Sequence, residues 1–301
     1  MASVVGTQRK SFWDDYGFLV IPGFFDDAEV AAVQAVYDSV WERLPLEVVV
    51  DDLGTGRRSR INDLAGSEQH DMFKVNDLYL SEPSLRNVVL SDRLGMVLAE
   101  LLDDEPTICN SLNFTKGSQQ PDHLDTLFMP PQSTGGLVAT WMALEDTAAD
   151  AGPLRYYPES NHIEPFRFST GQLKMHQPEM PAWSDYMAEQ VERRGLADTR
   201  FLASRGDLFI WSAFLLHGGC EIVDARLTRR SLVTHYWRLR DCEAMPLDLR
   251  PCAGGWWINR PPLQTSPSPA PPADVPDLPP AVVAPQVGAE LRDRFDRLSP
   301  E

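Results

Sequence analysis

Two of the chain's six histidines stand where a metal ion could be held. The first heads the tripeptide His123-Leu124-Asp125. In an extended strand residues i and i+2 point to the same side, so this imidazole and carboxylate can converge on one ion. The second is His217, at the end of the apolar strand pattern GDLFIWSAFLLH and followed by Gly218-Gly219. Two nitrogens and one carboxylate oxygen on one side of an ion leave adjacent positions open, the arrangement that non-heme Fe(II) oxygenases use. Read alone, the tripeptide is better explained as a loop histidine with a turn-forming aspartate after Pro121.

A third feature is the strand pattern TRRSLVTHY. Period-2 alternation puts Arg229, Ser231, Val233 and His235 on one face and Arg230, Leu232, Thr234 and Tyr236 on the other. A guanidinium aimed into a β-structure is costly unless it meets a carboxylate, which its planar fork matches bidentately. The alternative is a pair of solvated arginines on an edge strand. A one-residue slip would exchange Arg229 for Arg230.

These residues need elements to carry them. GFLVIPGFF reads as a short strand stopped by Pro22-Gly23. Asp26 and Glu29 form a D-x-x-E start for a helix running to about Arg43. One or two further helices fit Ser81–Leu102. After Asp104 the texture changes to short runs rich in β-branched and aromatic residues: TICNSLNF, GGLVATWMAL, GPLRYYP, GDLFIWSAFLLHGG and RRSLVTHYWRL. A polar, partly helical insertion at 166–200 interrupts them. Helices followed by many short strands predict a mainly β chain with flanking helices, closing into a sandwich or barrel. Ten of the 25 prolines fall between Pro261 and Pro285, so the globular part is expected to be 1–260 and residues 261–301 a stiff Pro-rich tail. Gly288–Leu298 has a weak helical pattern.

The segments FWDDYGFLVIPGFF, HLD, WMALEDTAADAGPLRYYPESNH, GDLFIWSAFLLHGG and TRRSLVTHY occur in one order over roughly residues 11–240. In that order the chain resembles the phytanoyl-CoA dioxygenase family of Fe(II)/2-oxoglutarate oxygenases. The resemblance implies a double-stranded β-helix (a cupin-like jelly roll), with His123, Asp125 and His217 as iron ligands. It implies Arg229 for the distal carboxylate of 2-oxoglutarate, and dioxygen as the other co-substrate. Trp141 falls where similar enzymes place an aromatic beside the co-substrate, and plain core filling serves it as well. Arg60 resembles a basic position that can reach co-substrate or substrate, although Arg57, Arg58 and Arg60 form a cluster that water could solvate. The family often has Ser or Thr two residues after the second iron histidine. Gly219 stands there, so that hydrogen bond is either missing or supplied by Ser231. Halogenating relatives carry Gly or Ala where this chain has Asp125, so hydroxylation or another C–H oxidation is implied, with release of succinate and carbon dioxide. The 166–200 insertion is the candidate lid, and a surface helix is the plain alternative. His70 and His176 read as polar-loop residues, His162 as structural or substrate-adjacent, and His235 as strand packing.

Composition bounds the rest. With 27 Lys and Arg against 44 Asp and Glu, the net charge is −17, which works against a general nucleic-acid or anionic-membrane binder. No apolar run approaches the roughly 20 residues that span a bilayer. Four cysteines without CxxC spacing argue against a zinc ribbon or a disulfide framework. A cytoplasmic enzyme acting on a small molecule is the resulting expectation, with the oligomeric state left open. Two competitors remain at this stage: a cupin-like isomerase or hydrolase using Zn(II) or Mn(II) as a Lewis acid, and a non-catalytic ligand binder.

Overall fold

The computed structural model describes residues 4–64 and 72–266. His70, the Gly288–Leu298 pattern and most of the Pro-rich tail lie outside the described residues. The chain opens with α1 (Thr7–Tyr16), β1 (Phe18–Ile21) and α2 (Asp27–Arg43), then β2 (Val49–Asp52), β3 (Arg58–Arg60) and β4 (Phe73–Asn76). Helices α3 (Pro83–Val89) and α4 (Asp92–Leu102) lead into β5 (Pro106–Phe114), β6 (Leu137–Ala143) and β7 (Leu154–Tyr156). After α5 (Met180–Arg194) come β8 (Thr199–Phe201), β9 (Leu208–Ser212), β10 (His217–Gly219) and β11 (Ser231–Arg238). The short α6 (Leu239–Glu243) and the β12 (Asp248–Cys252) and β13 (Gly255–Asn259) hairpin close the described chain.

Two sheets form. The larger runs β1-β9-β6-β11-β5-β4-β2-β3, with β13 joining β5 and β12 beyond it, and the smaller runs β10-β7-β8. Pairing is antiparallel throughout except for β13 on β5, the mainly β jelly roll with flanking helices that the strand-rich second half predicts.

Helix α2 begins where the D-x-x-E pattern puts it. The Asp26 carboxylate accepts from the Glu29 amide at 2.8 Å, and the Glu29 carboxylate accepts from the Asp26 amide at 2.9 Å. Its Val30, Val33, Tyr37 and Val40 share one buried cluster with Leu94 and Leu98 of α4 and with Ile108, Met142, Ile210 and Leu232 of the large sheet. Alternation along β11 therefore turns Leu232, Thr234 and Tyr236 toward the helices, where the Tyr236 hydroxyl donates to the Val89 carbonyl of α3 at 2.8 Å. The opposite face, with Val233, His235 and Trp237, lines a cavity of about 490 Å³ on the other side of the sheet. Strand β6 is buried along its whole length because helices cover one face and this interior the other.

The insertion folds as α5 on the outside of the small sheet. Its Met180, Trp183 and Met187 pack with Leu124, Leu127, Tyr157 and Leu216. No residue of 166–200 lines the cavity; the segment packs instead against the residues around Asp125 and before His217. Leu263 lines the cavity, and the Ser266 amide donates to the Arg58 carbonyl at 3.0 Å, so the start of the Pro-rich segment lies against the body.

Candidate active site

The two histidines meet through their backbones. The His123 amide donates to the His217 carbonyl at 2.8 Å and the His217 amide returns the bond at 3.1 Å, an isolated antiparallel bridge that brings the imidazole centroids to 4.3 Å. His123-Leu124-Asp125 is not an extended strand as expected. The single bridge residue leads into a short 3-10 turn (Asp125–Leu127), which aims the carboxylate back at both rings. The run ending in His217 is not one strand either. It leaves the large sheet after Ser212, turns through Ser212–Leu215, and enters the small sheet at His217.

Backbone carbonyls fix the rings. His123 Nδ1 lies 2.8 Å from the Pro121 carbonyl and His217 Nδ1 lies 2.9 Å from that of Leu215. Each Nδ1–H donates there, which leaves both Nε2 lone pairs for a metal. Asp125 is buried. Its Oδ2 accepts from Trp211 Nε1 at 2.8 Å, and its Oδ1 lies 3.9 Å from His123 Nε2 and 3.7 Å from His217 Nε2. Burial alone would raise this carboxyl, but His235 and His217 beside it hold it well below the usual carboxylate range. Burial and the neighbouring His217 push His123 down to about 3, so its ring is neutral and ready to ligate at neutral pH. One ligand atom from each of His123, Asp125 and His217 falls within 4.8 Å of the others.

Arg229 enters the same cavity and is 3% exposed. Among the described residues no carboxylate lies within ion-pair distance of it. One Nη donates to the Gly152 carbonyl at 3.3 Å, and Nε has no partner. Burial lowers the group to about 10, still charged at neutral pH. Trp141 lies beside it, its ring centre 5.6 Å from the guanidinium carbon, and its Nε1 is likewise buried without an acceptor. A buried guanidinium that lines the cavity and has no carboxylate partner among the described residues matches an anionic ligand. Arg230 turns away to Asp38 and the Tyr37 ring.

Two expected residues lie elsewhere. Arg60 is exposed and donates to the Leu46 carbonyl at 2.5 Å, outside the cavity lining. In the three-residue β3 it is Arg58 that reaches the cavity. Ser231 is fully buried with its hydroxyl unpartnered, and it does not line the cavity. The glycine two residues after His217 has a steric cause. A Cβ at Gly219 would come within 2.6 Å of Ser118 Oγ, and one at Gly218 within 2.5 Å of Asp122 Oδ1. The 118–122 loop lies flat on both glycines and sends Ser118 to the cavity. His162 is exposed, with Nε2 on the Asp15 carbonyl, a structural tie.

Several site residues escaped sequence reading. His235, expected only to pack, places Nε2 at 3.4 Å from Asp125 Oδ1. The alternation of β11 already put it on the Arg229 face, which was the available signal. Trp211 carried no signal, because its contact with Asp125 spans 86 residues.

A jelly roll with two histidines and a carboxylate around one point, and an orphaned arginine in the same cavity, defines the class of non-heme-iron oxygenases that take a 2-oxo diacid. The sequence matches the family model of phytanoyl-CoA dioxygenase (PhyH) over residues 13–230, and the chain belongs to that family. Ferrous iron and 2-oxoglutarate are the metal and co-substrate of this family, and the donor set suits both. No curated protein matches the chain. Among solved structures it is similar to SnoK, a non-heme alpha-ketoglutarate-dependent carbocyclase from nogalamycin biosynthesis. The identity is 18%, with 77% of this chain and 84% of that one covered and a TM-score of 0.56. It is similar to EctD from S. alaskensis with 2-oxoglutarate and 5-hydroxyectoine (15% identity, 88% and 87% covered, TM-score 0.57). It is also similar to SnoN, an alpha-ketoglutarate-dependent epimerase from nogalamycin biosynthesis (17% identity, 85% and 96% covered, TM-score 0.57). At these identities the likeness shows the fold.

Proposed function

We propose that this protein is an Fe(II)/2-oxoglutarate-dependent dioxygenase that hydroxylates, or otherwise oxidises, an unactivated C–H bond of a small metabolite or natural-product intermediate. The observation that carries this reading is Arg229, a buried guanidinium with no carboxylate partner among the described residues, in the lining of the cavity that holds the His123–Asp125–His217 cluster. A redox-inert isomerase or hydrolase on the same cluster would leave it without a role.

Bound iron, with 2-oxoglutarate and dioxygen, supplies the oxidising chemistry. The protein's part is positioning. His123 and His217 offer Nε2 while their Nδ1–H groups stay on backbone carbonyls. Trp211 holds one oxygen of Asp125 and so turns the other toward the metal. As the third ligand, Asp125 occupies the position that halogenating relatives keep for chloride, which favours hydroxylation. Arg229 grips the far carboxylate of the co-substrate, with Trp141 along its side. The apolar Phe114, Val233 and Trp237 line the cavity in which the substrate would sit.

Anaerobic addition of Fe(II) and then 2-oxoglutarate is expected to produce a visible charge-transfer band, and Asp125→Ala to lose it. Admitting air should then release succinate. Failure of the intact protein to give the band would overturn the reading.

A further inference from the structure

The wall of the cavity formed by β3, β4 and the segment after β13 is cationic in a strongly acidic protein. Among the described residues, four cations but a single carboxylate, Asp125, line the cavity. With Arg229 assigned to the co-substrate, Arg58, Lys74 and Arg260 remain.

Two carboxylates behind the wall only partly neutralise these three. Asp51 accepts from Arg58 Nε at 2.6 Å and Nη2 at 2.9 Å, and Lys74 Nζ lies 3.3 Å from the same carboxylate. Asp77 accepts from Arg260 Nη2 at 2.7 Å. Neither aspartate lines the cavity. Register explains the grouping: Asp51 pairs with Arg58 on one side and with Lys74 on the other, and Lys74 pairs with Phe114 of β5. Among the described residues, these three cations meet two carboxylates, which leaves one positive charge. The side chains of Arg58 and Lys74 are 32% and 24% exposed. The lining also holds the apolar Leu112, Phe114, Val233 and Leu263, together with Asn76 and Asn110.

From this juxtaposition we infer that the substrate is an organic monoanion whose carboxylate docks on Arg58 and Lys74, with Arg260 behind them, while its apolar body lies along Phe114 and Val233. The inference rests on the proposed function and names the substrate class for that site. A single carboxylate matches in full the one positive charge left over among the described residues, and the ionic contacts orient the molecule for oxidation at a carbon remote from its charged end.

The test is calorimetric binding to anaerobic protein loaded with Fe(II) and saturating 2-oxoglutarate. The probes are hexanoate, octanoate and hydrocinnamate against their primary amides, with hexyl phosphate as the dianion. Carboxylates are expected to bind about tenfold tighter than amides, as charge-assisted hydrogen bonds allow. The preference should shrink with added salt and in Lys74→Met, and persist in Lys74→Arg. The inference is overturned by equal affinities or no binding, and by a preference unchanged in both Lys74→Met and Arg260→Met. Tighter binding of hexyl phosphate, or probes that displace 2-oxoglutarate and its absorption band, would overturn it as well. If the band never forms, the oxygenase reading itself fails; if it forms without a carboxylate preference, only the substrate class falls.

Discussion

At the scale of single residues, Arg229 makes the sharpest demand. An unpaired guanidinium in a buried site costs stability until an anion arrives. Arg229→Met should therefore leave the melting temperature of the ligand-free protein unchanged or raised. It should weaken 2-oxoglutarate at least about a hundredfold, the loss of two charge-assisted bonds. Arg60→Ala should leave that affinity unchanged. Titration of the charge-transfer band, with a thermal melt of each variant, checks both statements. His123 and Asp125 are legible in the sequence because a metal restricts residue type and their spacing is short, whereas His217 and Arg229 stand out only by the strand patterns that carry them. Arg57, Arg58 and Arg60 look alike in the sequence, and only the pairing of β3 with β2 gives Arg58 its Asp51. His235 and Trp211 became visible only when distant strands closed around Asp125.

Among the elements, α5 shapes the site without entering it. Trp183 is 1% exposed and packs in the cluster that contains Leu124, Leu127 and Leu216, the residues that flank Asp125 and precede His217. The Met175 amide also donates to the Leu127 carbonyl at 2.9 Å. Trp183→Ala should cost about 3–5 kcal/mol of stability. Because the cavity it leaves lies beneath the ligand turn, Fe(II) affinity should fall with it, whereas loss of a surface helix would leave metal binding intact. Urea unfolding beside an iron titration separates the two outcomes. Strand and helix texture predicted most elements here. It failed where an apolar run changes sheets, because Leu208–Gly219 is apolar on both sides of its turn and periodicity carries no mark of the crossing.

For the whole molecule, acid is the exposed weakness. Burial would raise Asp51, but its bonds to Arg58 and the charge of Lys74 hold it below its ordinary 3.8. His123 falls from 6.5 to about 3. Both groups release protons more readily folded than unfolded, so the stability they add is complete above their unfolded values and is lost as pH falls. Ligand-free protein should lose stability between pH 6.5 and 3 by up to about 1.4 kcal/mol per pH unit from His123 alone. Melts across that range should show the slope, and His123→Gln should flatten it. The net charge of −17 argued against polyanion partners, yet a whole-chain sum could not reveal that one interior wall has the opposite sign. The reciprocal amide bonds between His123 and His217 matter at this scale too. In a zinc finger the ion gathers scattered ligands and folds the chain. Here the peptide backbone has already stitched the two ring-bearing segments together. Removing iron is therefore expected to leave the scaffold standing, which a thermal melt of chelator-treated protein checks.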